Sequence, residues 1–101
     1  MFGLGRRRST LEGCWKIDPT DDAAVAAFGM ATLEFGKDGR LTYSVDEGER
    51  RQIILLTYKV EGQTLVTDQP SSPRQERTRF ALEGDILHLE LGGVPARFRR
   101  A

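Results

Sequence analysis

The chain reads Leu11-Glu12-Gly13-Cys14-Trp15-Lys16-Ile17 near its start, with leucine, glycine, tryptophan and isoleucine at alternate positions. A period of two is that of a β-strand with one buried face. The same period recurs along the rest of the chain. It predicts about eight short, half-buried strands, at residues 11–17, 31–35, 40–45, 53–61, 64–68, 77–82, 86–91 and 94–100.

Short segments that contain glycine separate most of the predicted strands, as at residues 37–39, 61–63, 83–85 and 92–93. Glycine supplies the positive φ that tight hairpin turns need. Links this short can join only antiparallel neighbours. The sequence therefore predicts a meander, in which each strand pairs with the next one along the chain.

The connection between the first two strands is different. Residues 18–28 place acidic residues before a run of alanines, which is typical of a helix that begins with negative charge. We predict one short helix over this segment, capped by Asp18 or Thr20 and ended by Gly29.

A meander of about eight strands has two exposed edges unless the first strand pairs with the last. An even number of strands allows that closure to be antiparallel, and eight strands leave an interior that side chains or one small ligand can fill. We therefore predict an all-β, up-and-down antiparallel barrel with one short helix. An open sheet or a two-layer sandwich is the competing architecture.

Length and composition limit the classes of protein. The chain has 101 residues, enough for one domain, which we place at residues 11–101 after a basic tail at residues 1–10. The 15 lysines and arginines balance 15 acidic residues, which argues against a nucleic-acid-binding surface. One cysteine and one histidine exclude an intrachain disulfide and metal sites built on several of either residue. No apolar run has the length of a signal peptide or membrane span, so we expect a cytoplasmic protein with no membrane partner.

The first strand also carries a family resemblance. Gly13-Cys14-Trp15 resembles the Gly-x-Trp signature of lipocalins, and residues 35–41 resemble the second hairpin of short bacterial lipocalin-like (calycin-type) domains with no assigned function. The resemblance implies a lipocalin-like barrel in which an arginine of the last strand packs across Trp15 and closes one end. Arg100 is the first candidate, followed by Arg97 and Arg99.

The inward positions of the predicted strands are apolar and aromatic. This lining predicts a non-enzymatic module that binds a small apolar or aromatic molecule at one mouth of the barrel. A filled barrel that acts as a protein–protein interaction or structural module, without a ligand, is the alternative. A connected cavity of roughly 300 Å³ or more would favour the first interpretation. The candidate ligand-binding residues are Trp15, Phe35, Tyr43, Tyr58, Phe80 and Arg100.

The polar residues form no recognisable catalytic arrangement. His88 alternates with apolar neighbours and should point outward, and Cys14 has no second reactive group near it in sequence. No serine lies in a Gly-x-Ser-x-Gly context, and no glycine-rich loop precedes a helix. We therefore expect no catalytic residues, no metal, no cofactor and no enzymatic activity.

Residues 53–56 read Ile-Ile-Leu-Leu and interrupt the alternation. If Ile54 and Leu56 face inward, Ile53 and Leu55 face outward, and an exposed apolar stripe usually marks a contact surface. Coverage by the helix or a β-bulge would also explain the run. We predict a homodimer through Ile53 and Leu55, because a second copy of the patch is the simplest cover.

Arginines gather at both ends of the chain, and pairing of the first and last strands would bring those ends together. The cluster is interpreted either as an anion or nucleic-acid contact or as a solvated tail with one arginine over Trp15. Its members are Arg6, Arg7, Arg8, Arg97, Arg99 and Arg100.

Overall fold

Eight strands and one short helix make up the computed structural model, which describes residues 11–101. The predicted basic tail at residues 1–10, with three of the clustered arginines, lies outside the described residues. The elements are β1 (Gly13–Ile17), α1 (Asp22–Phe28), β2 (Met30–Phe35), β3 (Arg40–Glu47), β4 (Arg50–Glu61), β5 (Thr64–Asp68), β6 (Glu76–Glu83), β7 (Ile86–Leu91) and β8 (Val94–Arg100).

The strands close into a barrel. Each one pairs antiparallel with the next strand in the chain, and β1 pairs antiparallel with β8, so that Trp15 lies opposite Arg100. The predicted all-β meander and its closure are confirmed. The alternative of an open sheet is wrong for these residues, because closure satisfies the backbone groups of both outer strands.

Glycine determines the tightest turns. Gly92 and Gly93 form the two-residue link between β7 and β8, with φ values of 57° and 86°. A two-residue hairpin turn of this kind needs positive φ at both positions, which two glycines adopt without steric cost. The short link in turn fixes the antiparallel register of the last two strands.

The helix begins later than predicted. It spans Asp22–Phe28 rather than residues 18–28, and its N-cap is Asp21, whose side chain accepts a hydrogen bond from the Ala24 backbone N–H at 3.4 Å. The expectation that Asp18 or Thr20 would cap the helix is wrong. Asp18 is instead bonded to Thr20 two residues later, in a local turn that keeps this segment out of the helix. Gly29 ends the helix as predicted, with φ 75°.

The apolar core lies inside the barrel, and the two ends of the barrel differ. At one end, here called the tryptophan end, Leu11 and Arg100 cover Trp15. At the other end, here called the loop end, α1 packs against β8 and β2, and residues 69–75 connect β5 to β6. Because α1 covers only the side of the loop end near β8 and β2, access to the interior is possible beside residues 69–75.

Candidate functional site

An apolar cavity of about 210 Å³ lies in the barrel interior. It reaches the surface at the loop end, beside the exposed side chains of Arg74 and Glu76. Thr67, Gln69 and Thr78 add polar groups near this mouth. The cavity is connected but smaller than the roughly 300 Å³ of ordinary ligand pockets, so it admits only small ligands. Its apolar wall consists of Leu33, Leu41, Ile54, Leu56, Leu65, Leu89 and Leu91.

Tyr43 is the aromatic residue of this cavity. It lies between its cross-strand partners Leu33 and Ile54, both of which also line the cavity. Burial raises the pKa of the Tyr43 phenol, so the group remains a neutral O–H at physiological pH. No residue in the described part of the chain hydrogen-bonds this hydroxyl. The cavity therefore presents a hydrogen-bonding group with unused capacity against an apolar wall.

Tyr58 and Phe35 form a separate aromatic pair. Their rings meet edge to face, with centroids 4.9 Å apart and an interplanar angle of 86°, a favourable arrangement for two aromatic rings. The Tyr58 hydroxyl donates to the Gly36 carbonyl oxygen at 2.8 Å, which ties β4 to the turn between β2 and β3. Burial raises the pKa of Tyr58, and the charges of Glu12 and Asp38 raise it further. The Tyr58 hydroxyl thus already has a hydrogen-bond partner within the protein, and its ring already packs on Phe35.

Trp15 and Arg100 close the tryptophan end. Trp15 is fully buried, its Nε1–H donates to the Leu11 carbonyl oxygen at 3.1 Å, and the Arg100 guanidinium carbon lies 4.1 Å from the centre of the indole. Arg100 Nη1 also donates to the Glu12 carbonyl oxygen at 3.1 Å. The predicted packing of Arg100 across Trp15 is confirmed, and it separates the interior from solvent at this end.

Gly13 explains why the signature needs a glycine. Its φ is 121°, and a Cβ built on it would lie 3.1 Å from Arg100 Nη1. Any side chain at this position would strain the backbone and press on the guanidinium. The glycine of Gly-x-Trp therefore gives Arg100 room to reach across the indole.

The six predicted site residues do not all converge on the cavity. Tyr43 lines it, whereas Trp15 and Arg100 close the tryptophan end and Phe35 packs on Tyr58. Phe80 is half-buried and packs against the core without lining the cavity. A ligand in the cavity would contact Tyr43 together with the leucines that alternation also placed inside.

Asp18, Thr20, Arg97 and Arg99 form a polar cluster, here called the Asp18 cluster, that the sequence analysis did not predict. Asp18 is 1% exposed, and its Oδ2 accepts hydrogen bonds from Arg97 Nε at 2.8 Å and Arg99 Nε at 3.0 Å. Its Oδ1 accepts from the Thr20 backbone N–H at 2.9 Å and the Thr20 hydroxyl at 2.8 Å. The backbone hydrogen bond from Thr20 and the side-chain bond from Arg97 hold the pKa of Asp18 well below its usual range.

The Asp18 cluster joins the segment after β1 to the last strand. The Asp18 backbone N–H donates to the Arg97 carbonyl oxygen at 2.8 Å, and the Arg97 N–H donates to Asp21 Oδ2 at 2.9 Å. Each carboxylate oxygen of Asp18 already accepts two bonds, so the group is placed for structure rather than for chemistry. In the predicted cluster of arginines, Arg97 and Arg99 bind the carboxylate of Asp18. The sequence could have indicated this contact, because a strand register that pairs Trp15 with Arg100 places Asp18 opposite Arg97.

The remaining reactive side chains are isolated from one another. His88 lies on the outer face, with its Nε2 3.0 Å from Glu83 Oε1, and Cys14 is half-buried and unpaired. Within residues 11–101, no three histidine, cysteine or acidic side chains lie close enough together to hold a metal ion. The same residues include no helix with the length and apolar character needed to cross a membrane.

Comparisons with known proteins give no relative. No family model matches the chain, and no match was found among curated proteins or solved structures. The barrel topology, the packing of Arg100 on Trp15 and the apolar cavity are therefore the observations on which a function can be argued.

Proposed function

We propose that this protein is a lipocalin-like module that binds a small molecule with an apolar or aromatic body and one hydrogen-bonding group, without converting it. The observation that carries the proposal is Tyr43, which lines an apolar cavity and whose hydroxyl has no hydrogen-bond partner among the described residues. Tyr43 is half-buried, so a ligand that covers its hydroxyl must offer it a hydrogen bond, because a hydroxyl out of water without one costs about 1–3 kcal/mol. A ligand that supplies this partner also gains from contact with the leucine wall.

The size of the cavity limits the ligand. Apolar cavities of about 150 Å³ hold one benzene molecule, so 210 Å³ accommodates one aromatic ring with a short substituent, or a short aliphatic chain. The tryptophan end is closed, and entry is therefore at the loop end past Arg74 and Glu76. These two side chains pair with each other at 3.3 Å, so the two charged residues that line the cavity compensate each other.

We expect para-cresol, a ring with one methyl and one hydroxyl group, to bind saturably in the cavity, and Tyr43→Phe to weaken binding about fivefold. The variant keeps the ring and removes one hydrogen bond, a loss of about 1 kcal/mol. Titration followed by backbone amide shifts in nuclear magnetic resonance spectra measures both the affinity and the location of the response.

A control variant and a second ligand test whether the Tyr43 hydroxyl is responsible for the effect. Tyr58→Phe is the matched control, because the Tyr58 hydroxyl bonds the Gly36 carbonyl outside the cavity, and its loss should leave the affinity unchanged. Toluene lacks the hydroxyl and should bind the unmodified protein and Tyr43→Phe equally well. Absence of a saturable response to millimolar para-cresol, or equal effects of the two tyrosine substitutions, would contradict a ligand site at Tyr43.

A second candidate function is association with another copy of the chain. Ile53 and Leu55 are 56% and 66% exposed. Since α1 packs against β8 and β2, the helix does not cover them. We propose a homodimer through this face, with the cavity mouth at the loop end left accessible.

We assign the module to the cytoplasm, where an unpaired cysteine such as Cys14 is usual.

Ile53→Lys combined with Leu55→Glu should convert the dimer to a folded monomer. Burial contributes roughly 1.5–3 kcal/mol for each large aliphatic side chain, so loss of four such side chains should weaken association by more than about 100-fold. Sedimentation analysis measures the association, and circular dichroism checks that the variant is folded. An unmodified protein that is monomeric at high micromolar concentration would show that this face has no such partner.

A further inference from the structure

We infer that the second copy packs face to face on β3 and β4. The two-fold axis lies between the two sheets and runs across the strands, directly over the paired residues Tyr43 and Ile54. This inference rests on the proposed homodimer and specifies its geometry. Tyr43 and Ile54 are direct cross-strand partners, so one line across the sheet marks the centre of both strands. A self-complementary interface needs such a centre, because each residue must meet its symmetry-related counterpart.

The apolar residues of β4 are placed symmetrically about this axis. Ile53 and Leu55 lie on either side of Ile54 and are both exposed. A half-turn about the axis reverses the strand direction and brings Ile53 of one copy against Leu55 of the other. Both apolar side chains of each copy are then covered by apolar side chains rather than by polar ones.

The charges of β3 fit the same axis. Arg40 and Asp46 are each three residues from Tyr43, and both face outward with side chains 81% and 62% exposed. The half-turn brings Asp46 of one copy opposite Arg40 of the other, and the symmetry repeats this contact. Thr42 and Ser44, which lie between them, meet each other in the same way and introduce no charge near the apolar centre.

The distances involved allow these contacts. Positions three residues from the axis lie roughly 10 Å along the strand. Packed sheets cross at about 30°, which displaces the two opposing positions by roughly 5 Å. An arginine side chain spans that displacement. Within one copy, Arg40 pairs with Asp38 at 3.1 Å, and Asp46 pairs with Arg51 at 3.7 Å. Exposed ion pairs of this kind contribute little stability, so they do not prevent either side chain from contacting the second copy.

The charge pattern also disfavours the other simple arrangement. An axis parallel to β4 would stack Ile53 on Ile53 and Leu55 on Leu55. It would also place Arg51 against Arg51 and Lys59 against Lys59, since both face outward on the same strand. Like charges in an interface oppose association. The crossing axis avoids these contacts, since it brings Arg51 of one copy against Thr57 of the other, while the opposite charges of Asp46 and Arg40 meet on β3.

The test is a charge exchange measured by sedimentation of the full chain. Asp46→Arg alone sets two arginines against each other, and Arg40→Asp alone sets two aspartates against each other. We expect each single variant to weaken dimerisation about tenfold or more. The double variant restores opposite charges in exchanged positions and should return to within about threefold of the unmodified protein.

Glu90→Arg is the matched control, because Glu90 is an exposed acidic residue on the outer face of β7, away from the proposed interface. It should leave dimerisation unchanged. Single variants without effect, or a double variant that is no tighter than the singles, would overturn the proposed axis while Ile53→Lys/Leu55→Glu still reports on the homodimer itself. A monomeric unmodified protein would overturn both.

Discussion

Replacing Trp15 with alanine is expected to lower the free energy of unfolding by about 3–5 kcal/mol. The indole is fully buried, and it fills the tryptophan end of the barrel between the core and Arg100. Its removal leaves a cavity under a guanidinium that loses its aromatic support, and it leaves the Leu11 carbonyl oxygen without its donor. A domain of this size is stable by roughly 5–15 kcal/mol, so the loss is a large part of the total.

Urea denaturation followed by circular dichroism measures this loss, since Trp15 is the only tryptophan and the variant has no indole fluorescence. Trp15→Phe is the informative comparison. It keeps a ring under Arg100 and gives up the hydrogen bond to Leu11, so a smaller loss of about 1–2 kcal/mol is expected. A loss below about 1 kcal/mol for the alanine variant would mean that the indole does not close the barrel.

The fold could be predicted because its signals are local. Alternation locates the strands, glycines locate the turns, and short turns permit only antiparallel neighbours, so the meander follows without any long-range information. The start of the helix could not be predicted in this way. Asp18 and Thr20 are residue types that often cap helices, but Asp18 is bonded to Arg97, which lies beside it where β1 pairs with β8 and is distant in sequence.

The candidate site could be predicted only in part, since alternation states which face a residue occupies but not how deep it lies in the barrel. Depth depends on the stagger between neighbouring strands, which no local pattern encodes. Tyr43 and Tyr58 both alternate with polar neighbours, yet one lines the cavity and the other bonds Gly36 at the turn. The Trp15–Arg100 contact was predicted because the lipocalin resemblance implies that pairing directly.

Asp18→Asn is expected to cause the second large loss of stability, and its size should depend on pH. The substitution conserves shape but removes the negative charge between Arg97 and Arg99. It also turns one accepting oxygen into an NH₂ group that faces N–H or O–H donors on either side. Arg97 and Arg99 are 37% and 59% exposed and remain hydrated without this charge, so the loss comes mainly from hydrogen-bond donors that face the buried amide group without an acceptor.

The pH dependence follows from the direction of the pKa shift. The folded protein holds the pKa of Asp18 well below its usual range, chiefly through the hydrogen bond from the Thr20 backbone and then through Arg97. Near pH 4 the unfolded chain therefore binds a proton at Asp18 that the folded protein does not. The stabilisation is fully present above about pH 5 and declines as the pH falls through the ordinary aspartate range.

Urea denaturation of both proteins between pH 7 and about pH 2.5 tests this linkage. The stability of the unmodified protein should fall toward that of Asp18→Asn in acid, so the gap between the two curves should narrow as the pH is lowered. Glu61→Gln is the matched control. Hydrogen bonds from Arg77 and Lys59 also lower the pKa of Glu61, but this side chain is 43% exposed on the barrel surface, where ion pairs contribute little. Curves for Asp18→Asn and the unmodified protein that stay parallel across the whole range would show that the carboxylate charge does not hold β8 to the segment that follows β1.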